Sequence, residues 1–193
     1  DTFTSIEYMH PEEFTYNGWA KDKVLTEEII KVIESTDETD YIYAISVQAH
    51  GNYPTEKVLD NPKIKLLNGI EDQARAYMME YYINQLYEMD LFIKELVDTL
   101  GELNEDVILV MYGDHLPSLN ISESELKGMN LYQTEYVVWN NMDLDMKDKD
   151  IEAFQLSSRV LEHLNIDSGC INKFHQTYSG DEDYLEKMNI LAY

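Results

Sequence analysis

Residues 107–119 read VILVMYGDHLPSL, an apolar run followed at once by polar side chains. The run from Val107 to Tyr112 predicts a buried strand. Asp114 and His115 follow it, and a carboxylate oxygen beside an imidazole nitrogen suits Mn²⁺, Zn²⁺ or Mg²⁺. Neighbouring side chains on a strand point to opposite faces, so we expect Gly113 to bend the backbone and let both side chains converge. An Asp that caps the turn and a His that packs are the alternative, since two ligands do not complete a metal site.

Two other segments have the composition of strands. Residues 41–47, YIYAISV, predict a strand buried on both faces, and residues 135–139 predict a third strand. The first of these segments leads into His50, which is followed by Gly51 in a loop. His50 is a candidate for binding a phosphate or for acid–base chemistry, and an ordinary histidine of a surface loop is the alternative.

The spacing of apolar residues predicts three main helices. The first begins near Asp22, a candidate N-cap, and the second covers residues 68–100. Asp150 is the candidate cap of the third. The chain beyond Ile166 is predicted to be irregular, with a short helix at 184–190.

The alternation of these strands and helices is typical of an α/β protein with a mainly parallel sheet. Ligands of such sheets bind beyond the carboxyl ends of the strands. His50 follows one predicted strand, and Asp114 and His115 follow another. These three residues are therefore the candidate site.

Composition excludes several classes of protein. The 193 residues carry a net charge of −24, which repels nucleic acid and anionic lipid surfaces. Apolar residues make up 44% of the chain, so disorder is excluded, and Cys170 as the sole cysteine excludes an intrachain disulfide. No apolar stretch has the length of a transmembrane helix. The chain starts with Asp1 rather than Met, and we expect a mature form or a piece of a longer parent protein.

Several catalytic motifs are missing from the sequence. It has no Gly-x-Ser-x-Gly elbow, no glycine-rich phosphate loop and no dinucleotide fingerprint. No Ser or Thr stands in an obvious nucleophile setting. The chain therefore has the residues of half an active site.

The stretch YGDHLPSL, residues 112–119, resembles the strand end of lipoteichoic acid synthase-like phosphoglycerol transferases. These belong to the sulfatase branch of the alkaline phosphatase superfamily. Residues 17–19 (NGW), 45–54 (ISVQAHGNYP) and 134–140 (TEYVVWN) resemble further family segments in the same order. The resemblance implies an α/β sandwich around a central, mainly parallel sheet, with residues 1–193 forming only its C-terminal part.

The resemblance also implies roles for the candidate residues. Asp114 and His115 match two ligands of a single divalent cation, Mn²⁺ or alternatively Mg²⁺, and His50 matches a histidine that contacts the phosphate and glycerol of the substrate. The family's threonine nucleophile, a metal-binding glutamate and a substrate-binding arginine lie upstream of its Gly-Trp segment, as do its transmembrane helices. We therefore expect no catalytic nucleophile in this chain.

The implied reaction transfers glycerophosphate from phosphatidylglycerol to a lipoteichoic-acid-type polymer or glycolipid at the extracellular face of the cell membrane. The expected partners are a lipid phosphodiester and a glycerophosphate polymer, without nucleic acid, and membrane contact runs only through the transmembrane part. The isolated chain is expected to be inactive, and either to self-associate or to keep a missing piece bound after cleavage. A sulfatase or phosphoethanolamine transferase of the same superfamily, or a non-catalytic binding module, are the alternatives.

Overall fold

Six α-helices and two β-strands are present in the part of the chain that the computed structural model describes, residues 2–127 and 130–191. In chain order they are α1 (Ile6–Met9), α2 (Val24–Ile33), α3 (Gln73–Gly101), β1 (Ile108–Tyr112), β2 (Tyr136–Asn140), α4 (Leu156–His163), α5 (Cys170–Tyr178) and α6 (Tyr184–Leu191). The chain divides between Trp139 and Asn140 into two compact units.

The two strands form a two-stranded sheet, and both lie where the sequence predicts them. The main-chain N–H of Gly113, directly after β1, donates to the carbonyl of Glu135, directly before β2, over 3.2 Å. The end of β1 therefore pairs with the start of β2, and the strands run antiparallel. The described residues thus contain helices and a small sheet, as an α/β chain should, but not the mainly parallel sheet of the prediction.

The predicted strand at residues 41–47 is wrong, since this segment forms no strand. Tyr41, Tyr43 and Ile45 are 90%, 63% and 65% exposed, although their composition predicted burial on both faces. Side-chain contact links the segment to β1, because the hydroxyl of Tyr112 donates to that of Tyr43 over 3.2 Å. A strand requires main-chain pairing with a neighbour, and apolar composition alone does not say whether that neighbour is present.

Helices α2 and α3 pack together in the first unit. Helix α3 has 29 residues and is about 44 Å long. It begins at Asp72, whose side chain accepts a hydrogen bond from the Arg75 N–H, a few residues later than predicted. Five buried apolar residues of the two helices form one cluster: Leu25, Ile33, Phe92, Leu96 and Leu100.

Two predicted helix caps are wrong, and one helix was missed. Lys23, not Asp22, precedes α2, and the Asp22 carboxylate binds main-chain amides of residues 47 and 48 instead. Glu152, not Asp150, caps the short 3₁₀ turn that leads into α4. Helix α5 lies where irregular chain was predicted and starts after Gly169, whose φ of 87° suits glycine. The predicted short helix near 184–190 is confirmed as α6.

A buried histidine is central to the second unit. His175 of α5 is 5% exposed, and its Nδ1 lies 2.6 Å from the hydroxyl of Tyr184 at the start of α6. Aromatic rings of Phe154 and Phe174 surround the pair. Burial lowers the pKa of His175 below its usual 6.5, because the charged imidazolium loses solvation there.

We therefore expect acid to destabilise the second unit through His175. His175 takes up a proton near pH 6.5 in the unfolded chain, but only at lower pH in the folded unit. The contribution of neutral His175 to the free energy of unfolding is therefore complete above pH 6.5, and it is lost as the pH falls below that value. Urea titrations followed by the amide NMR signals of residues 170–191, at pH 7 and pH 5, measure the loss. The variant His175→Phe should lose less stability over this interval than the unchanged chain, and equal losses would contradict the prediction.

The hydrogen bond between His175 and Tyr184 can be tested separately. Tyr184→Phe removes a buried donor and should lower the free energy of unfolding by about 1–3 kcal/mol. Tyr132→Phe is the control, because Tyr132 is 96% exposed and should change stability by less than about 0.5 kcal/mol. A Tyr184→Phe effect as small as that of the control would show that the bond does not stabilise the unit.

Candidate functional site

Asp114 and His115 lie directly beyond β1, as predicted. Both are exposed, and the His115 Nε2 lies 3.7 Å from Asp114 Oδ1. The Nδ1–H of His115 donates to the carbonyl of Leu116 over 2.9 Å. A carbonyl oxygen only accepts, so this bond places the proton of the neutral ring on Nδ1 and leaves the Nε2 lone pair directed away from the bond.

The expected bend at Gly113 is not what brings the two side chains together. Gly113 is not among the described glycines with positive φ, and an added Cβ would lie 3.6 Å from Thr134, an ordinary contact. The N–H of Gly113 is still paired with β2. Asp114 is therefore the first residue beyond the described strand pairing, and convergence follows from the end of the sheet rather than from glycine.

His50 lies in an exposed loop and has the same arrangement of its ring nitrogens. Its Nδ1–H donates to the carbonyl of Gly51 over 2.7 Å, which leaves Nε2 available. A neutral His50 can therefore accept a proton or a hydrogen bond at Nε2. The protonated ring can donate a hydrogen bond to an anion from the same atom.

The structure brings all three candidate residues together. The ring centroids of His50 and His115 are 5.8 Å apart, with the planes at 82°. His50 also contacts Trp19, whose ring centroid is 5.6 Å away at 75°. His50 therefore contacts both an aromatic side chain and His115, although these residues come from three separate parts of the sequence.

A buried cluster explains why the two loops meet. Tyr53 follows His50 by three residues and is 7% exposed, while Leu119 follows His115 by four and is 1% exposed. Both pack against Tyr81 of α3, which is 2% exposed. Burial raises the pKa of Tyr53 to about 12, so its hydroxyl stays neutral. Both loops are thus anchored on one face of the same helix.

The donor atoms of Asp114 and His115 fit one divalent cation. Two ligand atoms that each lie about 2.1 Å from an ion, at an angle near 110–120°, are about 3.5 Å apart. The observed 3.7 Å between Oδ1 and Nε2 is close to that separation. Within residues 2–127 and 130–191, no group of three or more His, Cys, Asp or Glu side chains is placed to hold a metal ion. Asp114 and His115 would supply two ligands of such a site, and their metal-binding role stays a prediction.

Local sequence predicted no contact with the His50 segment for two residues that the structure places against it. Trp19 was noted only as part of a Gly-Trp segment, and Asp22 only as a helix cap. Trp19 sits next to Gly18, whose φ of 83° allows the turn in which Trp19 N–H donates to the Thr15 hydroxyl. The Gly18-Trp19 pair was the one sequence feature that could have indicated the role of Trp19. For Asp22 there was none, because local sequence does not reveal the hydrogen-bond partner of a buried Asp.

Comparison with known proteins shows the family of the chain. The family model of the sulfatases matches residues 2–166, which is most of the chain. The chain belongs to the sulfatase family. Sulfatases have the α/β fold of the alkaline phosphatase superfamily and use divalent metal ions, so the predicted superfamily is confirmed. The family match covers the Trp19 turn, the His50 loop, β1, β2 and α4.

A curated relative extends the comparison. The chain is 30% identical over 205 residues to a putative cyclic beta-1,2-glucan modification protein of Rhizobium meliloti (strain 1021). The match covers 96% of this sulfatase-family chain and 32% of the relative, so the chain spans about a third of the length of the curated relative it matches. No solved structure matches the chain significantly.

Proposed function

We propose that this chain is the C-terminal part of a metal-dependent phosphoglycerol transferase. The longer parent would move glycerophosphate from phosphatidylglycerol to a lipoteichoic-acid-type polymer, a glycolipid or a glucan. The resemblance of residues 112–119 to lipoteichoic acid synthase-like enzymes supports the donor, and the name of the rhizobial relative supports a glucan as an acceptor. The share of that relative which the chain covers, 32%, supports a longer parent.

One observation carries the proposal: His50 lies beside the Asp114–His115 pair at 5.8 Å between the imidazole rings. A phosphoryl-transfer site needs cation ligands and a group that touches the phosphate or the leaving oxygen, all within one substrate's length. The three side chains meet that requirement, and all three are exposed to an incoming substrate.

Asp114 Oδ1 and His115 Nε2 would hold the cation, Mn²⁺ or alternatively Mg²⁺. When bound, such an ion lowers the pKa of a coordinated hydroxyl and stabilises charge on phosphate oxygens. The hydrogen bond from His115 Nδ1–H to Leu116 keeps Nε2 as the ligating nitrogen. His50 Nε2 would bind the substrate, donating to a phosphate oxygen when protonated or accepting from a glycerol hydroxyl when neutral.

The proposed chemistry has two displacement steps at phosphorus. A threonine hydroxyl, which we place in the parent outside these 193 residues, attacks the phosphodiester and loses its proton while diacylglycerol leaves with one. An acceptor hydroxyl then attacks the phosphorus of the glycerophosphothreonine and loses its proton, the bond from phosphorus to the threonine oxygen breaks, and that oxygen takes a proton to restore the hydroxyl. This assignment leaves the isolated chain without a nucleophile and therefore inactive.

The parent would work at the extracellular face of the cell membrane, held there by a transmembrane part. The described helices all lack a long uncharged apolar segment of the kind that crosses a bilayer. The net charge of −24 makes direct adsorption to anionic lipids unfavourable. Membrane contact in this proposal therefore runs through the parent and not through this chain.

The test is product identification with the purified full-length parent and Mn²⁺. Phosphatidylglycerol labelled in its glycerol headgroup is offered with a glycerophosphate polymer, a glycolipid or cyclic β-1,2-glucan. We expect diacylglycerol release and transfer of the label to an acceptor. Cleavage of a sulfate ester, or transfer of phosphoethanolamine from phosphatidylethanolamine, would favour the other members of the superfamily. No turnover of any of these substrates would favour a binding module.

A further inference from the structure

We infer that Asp22 is a positioning residue for His50. The inference rests on the proposed role of His50 at the substrate, and it concerns a residue that does not itself contact the candidate site. Asp22 is 2% exposed, and its Oδ1 accepts hydrogen bonds from the main-chain N–H groups of Val47 (2.9 Å) and Gln48 (3.2 Å). The carboxylate thus holds the chain directly before the loop that carries His50.

The hydrogen bonding between these segments is reciprocal. The N–H of Asp22 donates to Gln48 Oε1 over 3.0 Å, and the Gln48 side chain is itself 2% exposed. Gln48 Nε2 donates in turn to Gln85 Oε1 (3.2 Å) and Glu88 Oε2 (2.5 Å) on α3. Residues 22 and 48 are therefore fixed to each other and to the longest helix.

Asp22 also fixes what His50 packs against. Trp19, three residues earlier, makes the edge contact with the His50 ring, and the Asn17 side-chain amide donates to the carbonyl of Asn52. The Asp22 carboxylate joins the segment that carries Trp19 to residues 47–48, which precede His50. It therefore holds the Trp19 and His50 rings in position relative to each other. No other described side chain hydrogen-bonds both Val47 N and Gln48 N.

The burial of Asp22 is costly, and helix capping does not account for it. Its Oδ2 is buried without a hydrogen-bond partner among the described residues. Burial raises the pKa of Asp22, although the two amide hydrogen bonds oppose that rise. A buried, incompletely paired carboxyl costs stability. Both hydrogen bonds that the carboxylate makes lead to residues 47 and 48.

The first test follows His50 directly in this chain, without any assay of activity. The imidazole NMR signals of His50 should be shifted by the rings of Trp19 and His115, and those of exposed His10 provide a reference in the same spectrum. We expect Asp22→Ala to move the His50 signals towards those of His10. Asp22→Asn keeps an acceptor oxygen and should leave them in place. Unchanged His50 signals in a folded Asp22→Ala chain would overturn the inference.

The second test uses turnover by the full-length parent. Asp22→Ala should lower kcat/KM by about 10- to 100-fold, because small displacements of a catalytic group cost that much. Asp22→Asn should stay within about threefold of the unchanged protein. If Asp22 acts through His50, Asp22→Ala should change turnover by less than about twofold in a His50→Ala background. Equal effects in both backgrounds would reveal a general structural role and overturn the inference.

If Asp22→Ala does not fold, Asp22→Ser replaces it in both tests, because its shorter hydroxyl cannot reach both amides. His50 signals that respond as expected, in a parent that transfers no phosphoglycerol, would support the positioning role while rejecting the proposed function. If the parent transfers phosphoglycerol but the His50 signals do not change when Asp22 is replaced, the positioning role alone is rejected.

Discussion

Replacing either Asp114 or His115 by alanine in the full-length parent should abolish phosphoglycerol transfer. Their donor atoms lie 3.7 Å apart, and each variant removes one of the two cation donors that this chain supplies. Loss of the cation forfeits several kcal/mol of charge stabilisation on the phosphate. A loss of that size lowers the rate on the order of a thousandfold or more. Turnover with phosphatidylglycerol and titration with Mn²⁺ measure activity and metal affinity separately.

His50→Ala should behave differently in the same assays. Because its Nε2 is assigned to the substrate, we expect turnover to fall by about 10²- to 10⁴-fold while Mn²⁺ affinity is unchanged. His163→Ala is the matched control, since its Nδ1–H is bound to the carbonyl of Arg159 on its own helix α4. Loss of the ion from His50→Ala, with retention by His115→Ala, would show that the two loops have been assigned in reverse.

The isolated chain should self-associate through the segment at 41–47 and its neighbour β1. Tyr41, Tyr43 and Ile45 are largely exposed, and Tyr112 beside them is 51% exposed. The hydrogen bond to Tyr43 raises the pKa of Tyr112, so the Tyr112 hydroxyl stays neutral at neutral pH. Apolar side chains of this size gain about 1.5–3 kcal/mol each when they are buried. Extended apolar segments without partners are typical sites of association.

Sedimentation of the chain at low and physiological salt tests this expectation. The net charge of −24 opposes association, but it is screened beyond about 8 Å at physiological salt, so association should strengthen as salt is added. The double variant Tyr41→Ser/Ile45→Ser should weaken association by about tenfold or more. Leu67→Ser is the control, because Leu67 is 87% exposed elsewhere in the first unit. A monomer at both salt concentrations would contradict the prediction that this exposed apolar patch drives self-association.

Local sequence was sufficient to predict those helices and strands whose formation depends on neighbouring residues in the chain. β1 and β2 were predicted from short apolar runs rich in strand-forming residues, and α3 from apolar residues that recur with the period of a helix. The same reasoning misplaced residues 41–47, because the composition of a strand does not reveal its pairing partner. It also took Asp22 for a helix cap, since an Asp before a helix is favoured there whether or not its carboxylate binds elsewhere.

The sequence by itself determined which chemical groups are available: a carboxylate and an imidazole beyond β1, and a second imidazole in a loop. Only the tertiary structure decided that His50 lies 5.8 Å from His115. The physical reason is the burial of Tyr53 and Leu119 against Tyr81, three residues far apart in the chain. Apolar burial is non-directional, so no local pattern records which distant side chain shares the same interior. Hydrogen bonds such as those from Val47 and Gln48 to Asp22 then set the position of the loop within that frame.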